Sequence, residues 1–378
     1  MSVTVPDWSP SAPRSLYHAL VAVIVVSLTC AAYKIQVFAD AEFFYKAIRL
    51  MGFVAIAMIA VKSIATSLTN IYALISVLFV TLCIMFSTVS GATAYLIPAA
   101  ISIAAVSLTT RSMASEVTKA AAFVLLMANV VLIVAALVKQ GPFSLLLSVS
   151  EVGMTNQNYI AAAVFSTILL SLAQPTKLSK CVVAICFIAL LILQSRTGLL
   201  ATVLVLFYIA TPMKRMLIAL TVLLFAPWLI DLLQQKYQSD DLLGAASGRT
   251  GPWNFYLIEL IRSPQYFLPE IMRMEPGARF FSSDTGAYHG PHNVFIQIVL
   301  SHGWLLGATA IIFTMASLAA RSGPAKTCLI GCLIYGFFEP TIWFVDSLPG
   351  FIFICSLTVN VRDFLEQMGA KNGHYSAT

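Results

Sequence analysis

Charged side chains are scarce in this sequence. Only 10% of the 378 residues are Asp, Glu, Lys or Arg, whereas 59% are apolar, and the mean hydropathy is +0.89. A soluble protein of this length needs about a quarter of its residues charged to stay dispersed in water. The scarcity therefore excludes an ordinary soluble domain and indicates a chain whose main solvent is lipid.

Basic clusters and metal-binding motifs are also missing. The net charge of +6 comes from 22 Lys and Arg against 16 Asp and Glu, spread thinly through short segments, so we expect no contact with nucleic acid. The seven cysteines form no Cys-x-x-Cys pair and have no neighbouring histidine, so we interpret them as packing residues. No repeat of fixed period is visible, and we expect no cofactor and no metal ion.

Long apolar segments recur along the whole chain. A helix that crosses the hydrocarbon core needs about 20 apolar residues, and only a helix satisfies all of its own amides there. The sequence predicts an all-α polytopic membrane protein, with residues 1–378 forming a single transmembrane domain of about twelve helices. The predicted spans are 16–33, 45–62, 70–88, 93–110, 119–138, 157–173, 178–194, 197–211, 214–233, 292–319, 325–344 and 347–362.

Basic residues are distributed unequally between these helices. With the amino terminus inside, twelve Lys and Arg fall in inside segments and five in short outside segments, which predicts that both termini lie inside. The polar segment 234–291, between the ninth and tenth predicted helices, then forms a large outside loop. Because it contains aromatic and amphipathic stretches such as 253–258, we expect it to fold over the membrane surface.

Four polar clusters fall on the outside of this topology, at 155–158, 195–198, 247–251 and 289–293. Two of them share an Arg-Thr-Gly context, at Arg196 and Arg249. Ionisable residues near membrane depth are costly and indicate function, and two guanidinium forks suit a pyrophosphate. The alternative for Arg196 is a snorkelling cation that contacts lipid headgroups, and a solvated loop position explains Arg249 equally well.

His292 precedes the apolar run that begins at Val294. An imidazole at a helix start is a candidate general base, and the positive end of the helix would disfavour its protonated form. Either His292 or Asn293 is also a natural cap for this helix, and position alone does not separate the two roles. His289 lies in a turn-like Gly-Pro context and is a weaker candidate.

Three further polar residues are candidates for substrate contacts, in addition to Asn293. Asn156 and Asn158 lie at the start of the sixth predicted span, where helix caps are the default. Glu339 follows Phe338 in an apolar helix, where it is placed to orient a donor or pair with an arginine, although a neutral, hydrogen-bonded Glu fits equally well.

Taken in order, these clusters resemble motifs of the O-antigen ligase and O-antigen polymerase superfamily of bacterial envelope polysaccharide synthesis. The resemblance covers about residues 156–307, and one stretch departs from it, since Phe267-Leu268-Pro269-Glu270 stands where the family commonly has Gly-x-Gly. The matching segments are Asn156-x-Asn158, Ser195-Arg196-Thr197-Gly198, Ser247-Gly248-Arg249-Thr250 with Trp253, and His292-Asn293-Val294-Phe295 with Gly303 and Gly307.

The resemblance implies a metal-independent, inverting glycosyl transfer at the periplasmic face of the bacterial inner membrane. Arg196 and Arg249 would hold an undecaprenyl-pyrophosphate-linked saccharide donor and offset the charge of the leaving group. His292 would position or deprotonate the acceptor hydroxyl. The acceptor is a glycolipid or saccharide: a lipid A core sugar for a ligase, or a second lipid-linked chain for an O-antigen or exopolysaccharide polymerase.

A transporter or flippase for a lipid-linked saccharide is the alternative of another class. Transporters often place intramembrane charges near the midplane of broken helices, whereas the polar residues here gather at one face. A purely structural subunit would not explain two matching arginine motifs and a histidine at a helix start.

Overall fold

The computed structural model describes the second half of the chain most fully. The described residues are 19–20, 23–24, 47, 50–52, 54–58, 157–173, 177–193, 195–219, 250–269, 272, 279–282, 287–320, 323–339, 350 and 352–353. This part is mostly helical. Its elements are α1 (Gln157–Ala173), α2 (Lys177–Ile192), α3 (Arg196–Ile209), α4 (Thr250–Arg262), a 3-10 turn (Pro264–Phe267), β1 (Phe280–Ser282), β2 (Ala287–His289), α5 (Val294–Ala320) and α6 (Gly323–Phe338).

α1 and α6 pack antiparallel. The rings of Phe165 and Tyr335 stack with their centroids 4.9 Å apart, and one turn further along α1, Leu169 lies against Gly331. Residue numbers therefore rise along α1 while they fall along α6. The start of α1 lies at the same end of the bundle as the end of α6.

α3 begins at this end as well. α2 follows α1 after the short connection 174–176 and packs along it, so α2 finishes where α1 starts. The amide of Ser195 donates to the carbonyl of Leu190 at 3.1 Å, and a Cβ at Gly198 would touch the Leu190 side chain at 2.7 Å. The close turn therefore returns the chain into α3 from the same end.

Three buried hydroxyls inside these apolar helices bond to their own backbone. The hydroxyls of Ser166, Thr167 and Thr202 donate to the carbonyls four residues earlier, at 2.7 to 3.0 Å. A buried hydroxyl without a partner is costly, and this local bond satisfies it without a neighbouring helix. Such residues are therefore compatible with the apolar core formed by α1, α2, α3, α6 and part of α5.

α5 is bent sharply at Gly303. That residue has φ +74°, outside the helical range, and a Cβ at Gly307 would lie only 2.9 Å from the Cα of Val299. Eight residues of straight helix span about 12 Å, so the two arms of α5, 294–302 and 304–320, must fold against each other. Gly303 makes the bend, and Gly307 permits the close approach of the arms.

A second layer covers the first arm of α5. We call it the outer layer: α4, the 3-10 turn, the hairpin of β1 and β2, and the arm 294–302. Its strands are antiparallel, with Phe280 opposite His289. Its apolar cluster is separate from the bundle core and contains Tyr256, Leu260, Tyr266, Ile296, Val299 and Leu300.

The predicted spans compare well with the helices that the structure describes. Spans 157–173, 178–194 and 197–211 match α1, α2 and α3 to within two residues. The described residues within the spans 16–33, 45–62, 214–233 and 347–362 are helical. The spans 70–88, 93–110 and 119–138 lie outside the described residues.

The span 292–319 also matches α5 to within two residues, with Asn293 capping the helix before Val294. One predicted boundary was wrong. The span 325–344 begins at Gly323 and ends at Phe338, so Glu339 follows the helix and does not lie inside it. The next residue is Pro340, which disfavours helical geometry in the residue before it.

One described helix, α5 from Val294 to Ala319 counted across its bend at Gly303, is long and apolar enough to cross a membrane by length and composition alone. Half of its apolar window is buried. The shorter apolar helices are 161–172, 196–209 and 326–338. Within the predicted loop 234–291, the structure places α4, the 3-10 turn and the hairpin.

Candidate functional site

Four of the described helices begin at one end of the bundle, where α6 finishes. α1 and α3 begin there, as shown above, and α5 joins them because the Asn293 side-chain amide donates to the carbonyl of Phe337 at 3.0 Å. α4 also begins there, since the rings of Trp253 and Phe337 are 5.5 Å apart. We call this the site end. Each helix start carries about half a positive charge, so the site end favours an anion.

His292 lies at the site end in an unusual backbone conformation. Its φ is +46°, and it is the single described non-glycine residue with a positive φ. The left-handed region costs an L-residue roughly 1–2 kcal/mol, although histidine enters it more readily than most residues. Strain of this kind persists where surrounding contacts hold it and is common at functional sites.

The imidazole of His292 faces a buried carboxylate. Its Nδ1 lies 3.7 Å from Oε2 of Glu339, and the two side chains are 31% and 5% exposed. The distance is long for a hydrogen bond and suits an ion pair when the imidazole is protonated. A carboxylate on the Nδ1 side favours a proton on that nitrogen, which would leave Nε2 as the basic nitrogen.

Asn293 is the cap of α5. Its Oδ1 accepts hydrogen bonds from the amides of Phe295 at 2.9 Å and Ile296 at 3.2 Å, and its Nδ2 donates to Phe337. Both polar atoms of the side-chain amide are thus engaged within the protein. Between the two residues left open by the sequence, Asn293 therefore caps the helix, and His292 has its side chain directed to Glu339.

Arg196 is the first residue of α3. Ser195 caps this helix, with its hydroxyl accepting from the amide of Gly198 at 3.2 Å, and the first turn contains no acidic side chain. Arg196 is partly exposed. A cation at a helix start is disfavoured by the helix dipole, so an anion bound at the site end would stabilise this position.

α4 brings the third motif to the same region. Arg249 lies outside the described residues, but Thr250, the next residue in the chain, begins α4. Trp253 follows one turn later and packs on Phe337. The helix that starts directly after Arg249 therefore begins near the residue that Asn293 contacts.

The remaining candidates are less fully described. Asn156 lies outside the described residues, and Asn158 is the second residue of α1, with its side chain outside the description. His289 ends β2 and pairs with Phe280 through the backbone. α1 begins at the site end, so Asn158 belongs to the same end of the bundle as Arg196.

Sequence reasoning missed two features of the site. It considered an arginine as the partner of Glu339, whereas the structure pairs that carboxylate with His292. It also gave no role to Phe337, whose carbonyl binds Asn293 and whose ring contacts Trp253. None of these three contacts has a local signal. About 45 residues separate His292 from Glu339 and Asn293 from Phe337, and more separate Trp253 from Phe337.

Basic side chains gather at the opposite end of the bundle. Lys177 and Lys180 belong to the start of α2, Lys214 and Arg215 follow the end of α3, and Lys326 belongs to the start of α6. Each of these helix ends lies away from the site end, because the neighbouring helices run antiparallel. The two ends of the bundle therefore differ in the basic residues that they present.

Arg215 has a structural role at that opposite end. Its Nε donates to the carbonyl of Phe207 at 3.1 Å and its Nη2 to that of Tyr208 at 3.3 Å. These carbonyls end α3, where basic groups are favoured by the dipole.

Among the described residues, no group of three His, Cys, Asp or Glu side chains is placed to hold a metal ion. Comparison with known proteins gave no relative: no family model, no curated protein and no solved structure matches this chain.

Proposed function

We propose that this chain is a polytopic inner-membrane glycosyltransferase of the O-antigen ligase type. It would transfer a saccharide from undecaprenyl pyrophosphate to a sugar hydroxyl of the lipid A core, with inversion and without a metal ion. The observation that carries the proposal is the His292–Glu339 pair, held by a left-handed backbone at the end of the bundle where α3 begins with Arg196.

The proposed reaction uses the histidine as a general base. The acceptor oxygen attacks the anomeric carbon of the donor, the bond from that carbon to the pyrophosphate oxygen breaks, and the hydroxyl proton passes to Nε2 of His292. Glu339 stabilises the imidazolium that forms. A positioned general base of this kind contributes about 10² to 10⁴ in rate.

The leaving group is the second half of the proposal. Pyrophosphate gains negative charge as the glycosidic bond breaks, and preorganised cations stabilise such charge strongly in a dry site. Arg196 supplies a guanidinium fork at a helix start, and Arg249 supplies a second one by its resemblance to the family motif. The starts of α1, α3, α4 and α5 add partial positive charge at the same end.

Placement in the membrane is supported by composition and by charge. The apolar helices and the scarcity of charge suit a lipid solvent. Basic residues in short connections mark the cytoplasmic side, and Lys177, Lys180, Lys214, Arg215 and Lys326 belong to the end opposite Arg196 and His292. The site end would then face the periplasm.

The arginine assignments are tested by substitution in cells that lack the wild-type copy. Arg196→Ala and Arg249→Ala should each abolish surface polysaccharide while the protein stays folded in the membrane. Arg215→Ala is the matched control, since it removes a guanidinium at the opposite end and should retain transfer. Normal polysaccharide from Arg196→Ala or Arg249→Ala would refute the assigned roles.

The histidine assignment is tested by His292→Asn. Asparagine tolerates the left-handed backbone and can hydrogen bond, but it is not a base. Transfer should fall by about 10²-fold or more, and full activity would remove the general-base role.

The acceptor is identified by the lipid A-core profile of a deletion strain. Uncapped core with accumulated lipid-linked polymer indicates a ligase, as proposed. A single saccharide repeat on the core would instead indicate a polymerase with the same chemistry.

A further inference from the structure

The exposed face of α4 is apolar. Leu257, Ile258 and Ile261 follow each other at helical spacing and are 44%, 46% and 77% exposed. The opposite face of the same helix packs on the first arm of α5 through Tyr256 and Leu260. A helix that is apolar on both faces is expected to be covered on both.

This exposed face continues onto the neighbouring elements. Phe267 and Leu268 follow α4 and are 59% and 48% exposed. Their backbone lies against Gly303, because a Cβ added to that glycine would be 2.5 to 2.8 Å from their backbone atoms. The next residues of α5, Trp304 and Leu305, are 39% and 63% exposed. The exposed apolar side chains after α4 therefore lie close to those at the start of the second arm of α5.

The link between the two elements is direct. The indole N–H of Trp304 donates to the carbonyl of Leu260 at 2.8 Å, which places the end of α4 beside the start of the second arm. Further along that arm, Ile312 and Met315 are 68% and 42% exposed, so the arm carries its own apolar outward face.

We propose that the surface formed by Leu257, Ile258, Ile261, Phe267, Leu268 and Trp304 inserts into the outer leaflet of the bilayer, at the boundary between headgroups and acyl chains. α4 would then lie in the plane of the membrane as an interfacial helix, with its apolar side chains about 5–10 Å below the headgroup surface.

The dimensions of α5 fit this depth. Its second arm, 304–320, is about 25 Å long at about 1.5 Å per residue, close to the roughly 30 Å of a hydrocarbon core. Trp304 begins that arm, and tryptophan prefers the interface, where its ring is buried and its N–H is paired. The start of the second arm therefore marks the membrane boundary, and α4 lies at the same level.

One basic residue beside this surface, Arg262, suits contact with phospholipid headgroups. Arg262 follows Ile261 and is exposed, so its aliphatic stem can cover apolar surface while its guanidinium reaches lipid phosphates. A lipid surface therefore fits both the apolar face and its charged neighbour.

This inference rests on the bilayer placement proposed above and is independent of the proposed saccharide transfer. It has a consequence for the position of α4. α4 is held by lipid at its Ile261 end and packs on Phe337 at its Trp253 end, so membrane contact fixes the position of a helix that starts at the site.

The test is the depth of a spin label in the full-length protein, reconstituted into vesicles of phosphatidylethanolamine with phosphatidylglycerol. A nitroxide is attached through a ketone-bearing amino acid at position 261, so that the native cysteines stay unchanged. Collisions with oxygen, which dissolves in lipid, are compared with collisions with a water-soluble nickel chelate. Position 312 is the control for the bilayer centre, and position 290, where Gly290 is exposed with no atom within 4 Å of a Cβ, is the control for water.

The oxygen-to-nickel collision ratio at position 261 should be severalfold higher than at position 290 and lower than at position 312. Position 258 provides a second measurement if the first labelled variant does not fold. A ratio at 261 and 258 equal to that at 290, or low collision with both reagents because protein covers the face, would overturn the inference. If position 312 also collides freely with nickel, the bilayer placement itself fails.

Discussion

Replacing Gly303 with alanine should disrupt the contact between α5 and the outer layer. Gly303 has φ +74°, and a Cβ there would lie 2.5 Å from the carbonyl oxygen of Phe267 and 2.6 Å from the carbonyl carbon of Leu268. These are backbone atoms, so no side-chain rotation relieves the clash. The bend in α5 and the close approach of the segment after α4 both depend on the missing side chain.

The magnitude follows from two terms. The backbone of Gly303, with φ 74° and ψ 172°, lies in a region that is essentially restricted to glycine, and another residue there costs about 1–3 kcal/mol. Overpacking against a fixed backbone typically adds about 1–3 kcal/mol. We therefore expect Gly303→Ala to lower the free energy of unfolding by about 2–6 kcal/mol. The hydrogen bond from Trp304 to Leu260 lies next to this contact and should weaken with it.

The assay is reversible unfolding in mixed detergent micelles, followed by tryptophan fluorescence. Gly290→Ala is the matched control, because a Cβ there meets nothing within 4 Å, and its effect should stay within about 0.5 kcal/mol. Equal stability of the Gly303→Ala and Gly290→Ala variants would refute the proposed reason for the bend.

Three further substitutions test the site end and the core. Asn293→Ala removes a cap and a bond to Phe337, so the free energy of unfolding should fall by about 1–2 kcal/mol, measured in the same micelles; an unchanged value would argue against the cap. Glu339→Gln keeps the shape but not the charge facing His292, and the transfer rate should fall by at least about tenfold while the unfolding midpoint stays near wild type; an unchanged rate would leave Glu339 without a role in transfer. Gly331→Ala places a methyl group against the leucine of α1 and should reduce stability by about 1–3 kcal/mol, and wild-type stability would show that this helix contact is loose.

The helical bundle was predictable because its signals are local. Apolar runs of the length of a span gave the limits of α1, α2 and α3 to within two residues. The end of α6 was set too late, because the apolar pattern continues past Phe338, whereas Pro340 ends the helix through backbone sterics.

The outer layer was harder to predict from sequence. The segment 253–258 was recognised as aromatic and amphipathic, but α4 packs through contacts to residues more than 40 positions away, such as the bond from Trp304 to Leu260. The bend at Gly303 also depends on contacts between residues that are distant in the sequence. Gly303 and Gly307 were noticed as part of a motif, but the apolar sequence around them does not predict which glycine will have a positive φ.

The shared location of two candidate residues was predictable from the sequence, whereas the partner of His292 was not. Arg196 and His292 were chosen as ionisable residues at the starts of apolar helices, and the structure brings the starts of α3 and α5 to one end. The partner of His292 was missed, because Glu339 approaches it only through the antiparallel packing of α5 and α6. Such contacts depend on tertiary structure and leave no periodic signal.

We propose that the site end transfers a saccharide from a pyrophosphate-linked donor without a metal ion. The most direct measurement is the rate of transfer from an undecaprenyl-pyrophosphate-linked saccharide to lipid A core, in proteoliposomes that contain only this protein and a chelator. We predict transfer by the wild-type protein, and a loss of about 10²-fold or more for His292→Asn. Absence of transfer by the wild type with this donor and either a core or a lipid-linked acceptor, or an unchanged rate for His292→Asn, would contradict the account.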